Sequence, residues 1–359
     1  MNFADYELYP LELSLNRIKK AWGGWPGRIG EIWSLSGPPH ESLVLNGPLS
    51  GQRLTGIVGE FQQKLLGKDM ELDLREPFPM LLKFISAAED LSVQVHPDDA
   101  YTMKNALPMV GNDKIWYIIA VKPGSLIYLG FKDKINKKKT REAVAEKTLH
   151  HFMNNINVKP GDLYTIPAGR IHSIGKGVVL FEIQRHSLIT FKLFDRQGKD
   201  VKKESRKSHI DEALKILDFN PISLKPISGI SISSNKNRIE YMALTPHFIL
   251  RKLIIKGSLD LSSNGNRFMV YTGLRGAGWL RWGFSDIATH IEPYQSILVP
   301  AFPEDFYFES KDRLEVIETS VPDLGGETLD QMFKLKITLD KIVGLGGGDY
   351  GGILKQYLR

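Results

Sequence analysis

The sequence predicts a mainly β protein that contains two β-barrels with short helical insertions. Short apolar runs separated by glycine and proline turns recur in residues 1–60 and again in residues 241–321. Residues 91–96 alternate apolar and polar side chains, as a half-buried strand does. Stretches with helical spacing are short, and residues 57–70 are one of them. These observations favour strands as the main elements of the fold.

Length and composition define the broad class of protein. The chain has 359 residues, of which 42% are hydrophobic, which suits two or three domains with well-filled cores. It contains no cysteine, and this excludes disulfide frameworks and thiolate zinc sites. The sequence shows neither a charged and apolar leader nor an apolar run of about 18 residues. We therefore expect a cytoplasmic protein without membrane association.

The charge balance is mildly basic, with a net charge of +6. Such a charge suits an anionic substrate. The densest basic cluster, residues 132–139, is typical of a solvated surface. We infer no nucleic-acid binding from it.

The predicted elements divide the chain into consecutive parts. They are a first barrel over residues 1–195 with a helical insertion at about 140–155, a linker and short helix over 196–220, a second barrel over 221–321, and a tail of unknown role over 322–359. The second barrel keeps the strand rhythm but lacks paired histidines, so we expect it to hold no metal. A glycine pattern at residues 346–351 formally matches the dinucleotide-binding fingerprint, but too few residues follow it for a strand-helix-strand unit.

Two separate segments bring potential metal ligands together. A strand over residues 91–96 places Gln94 and His96 on one face. His172 follows a Pro-Ala-Gly turn at residues 167–169, from which a returning antiparallel strand can carry its imidazole to the first pair. Two imidazoles and an amide oxygen leave coordination positions open, as a catalytic metal requires. A single histidine is more often a core residue than a metal ligand. The prediction of a metal site therefore rests on the combination of the two histidines with Gln94.

Four motifs carry a resemblance to a known family. They are Lys-Phe-Ile at 83–85, the segment 91–99, Trp-Tyr-Ile-Ile at 116–119 and the segment 166–177, with weaker similarity from Trp22 to about residue 320. These residues resemble the type I mannose-6-phosphate isomerases, or phosphomannose isomerases, of the cupin superfamily. The resemblance implies two cupin (jelly-roll-like) barrels and a zinc enzyme that interconverts mannose 6-phosphate and fructose 6-phosphate through a metal-assisted enediol.

The same resemblance implies roles for individual residues. Gln94, His96 and His172 are expected to bind one zinc ion per chain. Lys83 and Lys192 are expected to act in catalysis and in binding the phosphorylated hexose, since both match positions where the family carries a basic residue. We make no prediction of the oligomeric state.

Two positions depart from the family pattern. Lys114 stands where the family carries a metal-binding glutamate, and Lys192 stands where it carries an arginine. An ammonium about 4 Å from a divalent cation repels it by several kcal/mol at an effective dielectric constant of about 20. Either three protein ligands hold the metal while Lys114 is turned away or neutral, or Lys114 fills the metal's place as the positive charge. Lysine at position 192 keeps the charge but loses the bidentate fork of arginine.

Two classes of function are compatible with this sequence. One is the active aldose-ketose isomerase. The other is a catalytically impaired homologue that binds a sugar phosphate or a protein partner without turnover. The fold serves both equally, because a fold does not determine a function.

Overall fold

The computed structural model of the chain describes residues 7–68, 70, 72–194, 203–222, 224–282, 288–301 and 304–357. Within these ranges the strands form three antiparallel sheets, so the predicted mainly β fold class is confirmed. No helix in the described part of the chain is long and apolar enough to cross a membrane.

The strands and helices are numbered in chain order. The strands are β1 (Leu11–Leu13), β2 (Asn16–Lys19), β3 (Ile29–Leu35), β4 (Leu81–Ser86), β5 (Val93–Val95), β6 (Lys114–Val121), β7 (Leu126–Phe131), β8 (Met153–Asn157), β9 (Leu163–Ile166), β10 (His172–Ile174), β11 (Val178–Gln184), β12 (Phe191–Phe194), β13 (Ile230–Ser234), β14 (Asn237–Leu244), β15 (Ile249–Ser263), β16 (Met269–Arg275), β17 (Gly278–Trp282), β18 (Ala288–Ile291), β19 (Ser296–Val299) and β20 (Glu304–Ser320). The helices are α1 (Leu54–Leu66), α2 (Asp99–Lys104), α3 (Lys137–Ala145), α4 (Lys203–Ile216), α5 (Glu327–Lys334), α6 (Leu339–Gly344) and α7 (Gly347–Tyr357).

The chain folds into two compact units built from separate segments. The first unit comprises Arg17–Ile32 and Met80–Pro226, and the second comprises Met1–Asn16, Trp33–Pro79 and Ile227–Arg359. This grouping differs from the consecutive parts expected from the sequence. The difference has a physical cause, because β1 pairs with β19 and so belongs to the sheet formed by the later part of the chain.

The first unit contains two sheets around a shared apolar core. The strand orders are β2-β3-β4-β11-β6-β9 and β12-β5-β10-β7-β8. Side chains from both sheets, among them Trp116, Leu129 and Leu180, form one buried cluster. The other face of the five-stranded sheet packs on α3 and α4 through residues such as Val95 and Leu214. The interior of the paired sheets is therefore the place where inward-facing polar residues meet.

The predicted helical insertion at 140–155 differs from the observed elements. Helix α3 begins at Lys137, because the side chain of Asn136 accepts a hydrogen bond from the Lys139 amide at 2.9 Å and caps the helix. A short 3₁₀ helix then spans Leu149–Phe152. Residues 153–157 are the strand β8, which pairs with β7.

The predicted linker and short helix also differ in part. Helix α4 spans Lys203–Ile216 and so occupies most of the predicted range 196–220, and it packs on the five-stranded sheet through Ala213 and Leu214. The remaining linker residues, 196–202, lie outside the described residues.

The second unit contains one nine-stranded sheet. Its main path is β1-β19-β16-β20-β15-β14-β13, and β17 pairs with β18 and β20. Tyr271 contacts Phe308 edge-on in its core, with ring centroids 4.9 Å apart. The strands predicted for residues 221–321 are thus found in the described part of this range.

The tail over residues 322–359 forms α5, α6 and α7. Met332 and Leu354 from these helices are fully buried in a cluster with Tyr241 and Leu244 of β14. The glycine pattern at 346–351 lies where α6 ends and α7 begins. The tail is therefore part of the core of the second unit, and the element directly before its glycines is the helix α6.

Candidate functional site

The five-stranded sheet places three of the predicted site residues in one row. Gln94 lies opposite His172 in the pairing of β5 with β10, and opposite Lys192 in the pairing of β5 with β12. Directly opposed residues of antiparallel strands point to the same face. His96 follows directly after β5, and its ring centroid lies 5.0 Å from that of His172. The structure thus brings Gln94, His96 and His172 together.

Both imidazoles are oriented by backbone carbonyl groups. The Nδ1 of His172 donates to the Arg170 carbonyl at 2.8 Å, and the Nδ1 of His96 donates to the Ile189 carbonyl at 2.7 Å. Each ring therefore keeps its Nε2 lone pair as an acceptor. The Nε2 of His172 lies 3.3 Å from the Nε2 of Gln94. The Nε2 of His96 is buried and has no hydrogen-bond partner among the described residues.

A tight turn ties the two histidine segments together. Gly169 has a φ of +82°, in the left-handed region that glycine adopts readily. Its amide donates to the His96 carbonyl at 2.8 Å. The preceding Ala168 amide donates to the Asp113 side chain at 3.0 Å, so that carboxylate holds the turn. The turn predicted from the Pro-Ala-Gly sequence therefore positions His172 relative to the first pair.

The six-stranded sheet supplies the charged groups. Glu182 on β11 lies between Lys83 on β4 and Trp116 on β6. Its Oε1 lies 2.9 Å from the Lys83 Nζ, and its Oε2 accepts from the Trp116 Nε1 at 2.6 Å. In a neighbouring row Lys114 lies opposite Gln184. The Lys114 Nζ donates to Gln184 Oε1 at 2.9 Å and to Glu182 Oε1 at 3.4 Å.

Lys114 lies among the two histidines and the charged groups around Glu182. It is only 3% exposed. Trp116, two positions along the same face of β6, contacts His172 edge-on with ring centroids 5.5 Å apart. Burial lowers the pKa of both imidazoles, and the charge of Lys114 lowers it further. Lys114 is therefore not turned away from the histidines.

Burial and these charges determine the protonation states. Burial, together with the charge of Lys114, lowers the pKa of His172 to about 4 and holds the pKa of His96 well below its usual value. Burial also lowers the pKa of Lys114 to about 8, although Glu182 opposes this shift. For Glu182, burial is outweighed by Lys114 and Lys83, and the pKa of its carboxyl lies well below its usual range. At neutral pH the site holds two neutral imidazoles, a carboxylate and, on Lys83 and Lys114, ammonium groups.

Lys83 and Lys192 lie at the more accessible side of the site. The Lys83 side chain keeps 11% exposure, and burial of its ammonium is outweighed by Glu182 and Glu31, which raise its pKa. Lys192 is exposed, and its amide donates to His209 Nδ1 at 3.3 Å. Gln94, next to Lys192 in the row, is half-buried. These three residues are more exposed than the two histidines, which are at most 3% exposed.

Sequence reasoning assigned no role to Glu182, Gln184 or the Trp116 indole. A signal was present, because Glu182 and Gln184 are polar residues at alternate positions at the end of an apolar strand, and so share one inward face. Their partners, however, depend on the register of β11 against its two neighbours. That register is a long-range property.

The residues do not fit a divalent cation well. Two oriented Nε2 lone pairs are what a metal site presents. Against this, no third His, Asp or Glu side chain within the described ranges is arranged with the two histidines to hold a metal ion, and the Gln94 amide nitrogen lies 3.3 Å from His172 Nε2. The carboxylate of Glu182 is engaged by two ammonium groups and an indole N–H. An ammonium about 4 Å from a divalent cation repels it by about 8 kcal/mol at an effective dielectric constant of about 20. We therefore derive no chemical step through a metal.

Comparison with known proteins agrees with this architecture. Residues 26–116 match the family model of the type I phosphomannose isomerase catalytic domain. The chain is 29% identical over 291 residues to a mannose-6-phosphate isomerase of Streptococcus mutans, covering 78% of this chain and 89% of that protein. It also resembles the crystal structure of the mannose 6-phosphate isomerase of Bacillus subtilis, with a TM-score of 0.76, 26% identity, and coverage of 86% of this chain and 99% of that one.

A more distant structure shares the fold. It is a zinc-bound mannose 6-phosphate isomerase, with a TM-score of 0.68, 13% identity, and coverage of 86% of this chain and 98% of that one. The sheets and these matches define a cupin-fold protein. Within that class, the chain is similar to the type I phosphomannose isomerases.

Proposed function

We propose that this chain is an aldose-ketose isomerase that interconverts mannose 6-phosphate and fructose 6-phosphate through an enediol. Similarity to the type I phosphomannose isomerases supports the reaction class, as do the activities named for the similar proteins. The observation that carries the proposal is the pair of neutral imidazoles, His96 and His172, held beside the buried ammonium of Lys114. A base next to a fixed positive charge is what an enediol reaction needs.

The proposed chemistry is a transfer of one proton between neighbouring carbons. An imidazole Nε2 removes the proton from C2 of the open-chain aldose, and the C–H electron pair forms the C1=C2 double bond while O1 takes up a proton. The enediol then gains a proton at C1 and loses one from the C2 hydroxyl, which leaves the ketose. An imidazole can serve as acceptor because burial keeps it neutral at physiological pH.

The cations have separate parts in this proposal. The Lys114 ammonium lies deepest and stabilises negative charge that develops on O1 or O2. Lys83 and Lys192 lie nearer to solvent and suit the phosphate group of the hexose. The zinc ion predicted from the sequence stays a prediction, and Lys114 argues against it. The cytoplasmic location likewise stays a prediction.

Proton exchange tests this function directly. Mannose 6-phosphate is incubated with the protein in D₂O, and the products are followed by NMR. We expect fructose 6-phosphate that carries deuterium at C1, because the transferred proton exchanges with solvent on an imidazole. His151→Ala serves as a control, since His151 is exposed. If the wild-type protein gives no fructose 6-phosphate and no deuterium exchange, the proposal is wrong. Binding of a sugar phosphate without turnover would then be the remaining function.

A further inference from the structure

The buried interior of the first unit contains a hydrogen-bond donor and an acceptor that the described protein groups leave unused. The Lys114 ammonium has three N–H bonds, and two acceptors engage it among the described residues, Gln184 Oε1 and Glu182 Oε1. The His96 Nε2 lone pair has no partner in that part of the chain, although His96 is only 3% exposed. An unpaired buried polar group of this kind destabilises the folded protein. Both groups therefore favour a ligand that satisfies them.

A divalent cation satisfies only one of these groups. It accepts the lone pairs of His96 and His172 but meets the ammonium of Lys114 with repulsion. A hydroxyl group satisfies both, because its oxygen accepts from an ammonium while its hydrogen donates to an imidazole lone pair. Gln184 strengthens this preference, since its amide nitrogen donates to the Ser187 carbonyl at 2.8 Å and so holds Oε1 towards Lys114.

The surrounding charges also favour a ligand oxygen over a metal ion. Lys83 and Lys114 share the carboxylate of Glu182, and the charge of Glu31, which is paired with Lys20 at 3.6 Å, also acts on both lysines. These five groups together carry a net charge of +1. A positively charged interior attracts an oxygen that bears partial or developing negative charge and repels a metal ion.

We infer that this site binds its sugar phosphate without a metal, with Lys114 donating to a hexose oxygen and His96 Nε2 accepting from a hexose hydroxyl. The identity of the ligand rests on the proposed function, whereas the independence from metal does not. Lys114 then takes the place of a metal ion as the electrophilic group of the site.

Calorimetry of mannose 6-phosphate in the presence of EDTA tests the inference without any need for turnover. We expect the wild-type protein to bind the sugar phosphate with the same affinity before and after metal removal. Lys114→Met should weaken binding at least about tenfold, because it removes a charged hydrogen-bond donor. Lys122→Met is the matched control, since Lys122 is exposed in the same unit. Loss of wild-type binding in EDTA with recovery on added zinc would overturn the inference.

A zinc titration provides a second readout. Lys114→Glu exchanges a repelling charge for an anionic ligand beside both imidazoles, so we expect it to bind zinc at least about 100-fold more tightly than the wild-type protein. Lys122→Glu should leave zinc affinity unchanged. If the wild-type protein and Lys114→Glu bind zinc with equal affinity and one ion per chain, the inference is wrong. Should the variant fail to fold, stoichiometric zinc binding by the wild-type protein alone would still contradict the inference.

The two proposals fail in different ways. Binding in EDTA without any isomerisation would remove the proposed function and leave the metal-independent site. Isomerisation that disappears with a chelator and returns with zinc would keep the function and remove the inference.

Discussion

Lys114 donates a hydrogen bond to Gln184 across 2.9 Å from directly opposite positions of β6 and β11. The two residues are at most 3% exposed, so the contact lies in a region where electrostatic interactions are strong. Glu182 forms ion pairs with both Lys114 and Lys83. The stability of the first unit and the chemistry of its site therefore depend on the same few side chains.

Glu182→Gln tests how much the carboxylate stabilises the first unit. The variant leaves the ammonium groups of Lys83 and Lys114 without their shared counter-charge. We expect the free energy of unfolding to fall by about 3–5 kcal/mol, the usual cost of removing one partner from a buried ion pair. Urea denaturation measures this value. Glu146→Gln is the control, because Glu146 is exposed at the end of α3. A loss of less than about 1 kcal/mol would mean that the lysines find other partners or give up their protons.

Parts of the site could be predicted because they depend on short stretches of sequence. The alternation around Gln94 and His96 fixes their common face within one strand, and the Pro-Ala-Gly turn redirects the chain at His172. Glu182 could not be assigned a partner in this way, since its contacts arise from the register of three strands distant in sequence.

The boundaries of the two units could not be predicted for the same reason, because they depend on pairing between distant strands. β1 is a short apolar segment like many others in the sequence, and its pairing with β19 joins residues 11–13 to residues 296–298. No local pattern encodes that partner. The start of α3 differed from the prediction for a local reason, because Asn136 caps the helix ahead of Thr140.

His96→Ala tests the imidazole as a proton acceptor. His96 Nε2 is a buried lone pair without a partner among the described residues, so its removal should reduce kcat by a factor of about 10²–10⁴, the usual contribution of a general base. The isomerase rate and the deuterium exchange at C1 should fall together. His151→Ala should retain the wild-type rate. If exchange persists at the wild-type level in His96→Ala, the base is another group, and the same experiment on His172→Ala identifies whether the second imidazole performs the step.

Met332→Ala tests whether the C-terminal helices are part of the core. Met332 is fully buried in the cluster with Tyr241 and Leu244, so its truncation should cost about 2–5 kcal/mol of unfolding free energy. The neighbouring Phe333 is 46% exposed, and Phe333→Ala should change stability by no more than about 0.5 kcal/mol. Chemical denaturation of both variants gives the comparison. Equal effects would show that α5 does not pack in solution as described.

Glu41→Gln tests a charge that caps α1, with pH as the variable. Glu41 accepts hydrogen bonds from the Thr55 hydroxyl, from the Thr55 amide at 2.8 Å and from the Arg53 guanidinium at 3.2 Å. Burial raises the pKa of its carboxyl, but these hydrogen bonds outweigh burial, and the pKa lies below its ordinary value of 4.5. Because the folded pKa is lowered, the carboxylate stabilises the protein above the unfolded pKa and loses this effect as the pH falls through the folded pKa.

The variant should therefore be less stable than the wild-type protein by about 1 kcal/mol at pH 7, a typical value for a charged group at a helix N-terminus. The difference should shrink as the pH falls below about 4.5, once the wild-type carboxyl takes up its proton. Unfolding curves between pH 3 and pH 7 measure the difference, with Glu60→Gln on the exposed face of α1 as the control. A difference that does not change with pH would assign the loss to packing of the side chain and would exclude its charge as the cause.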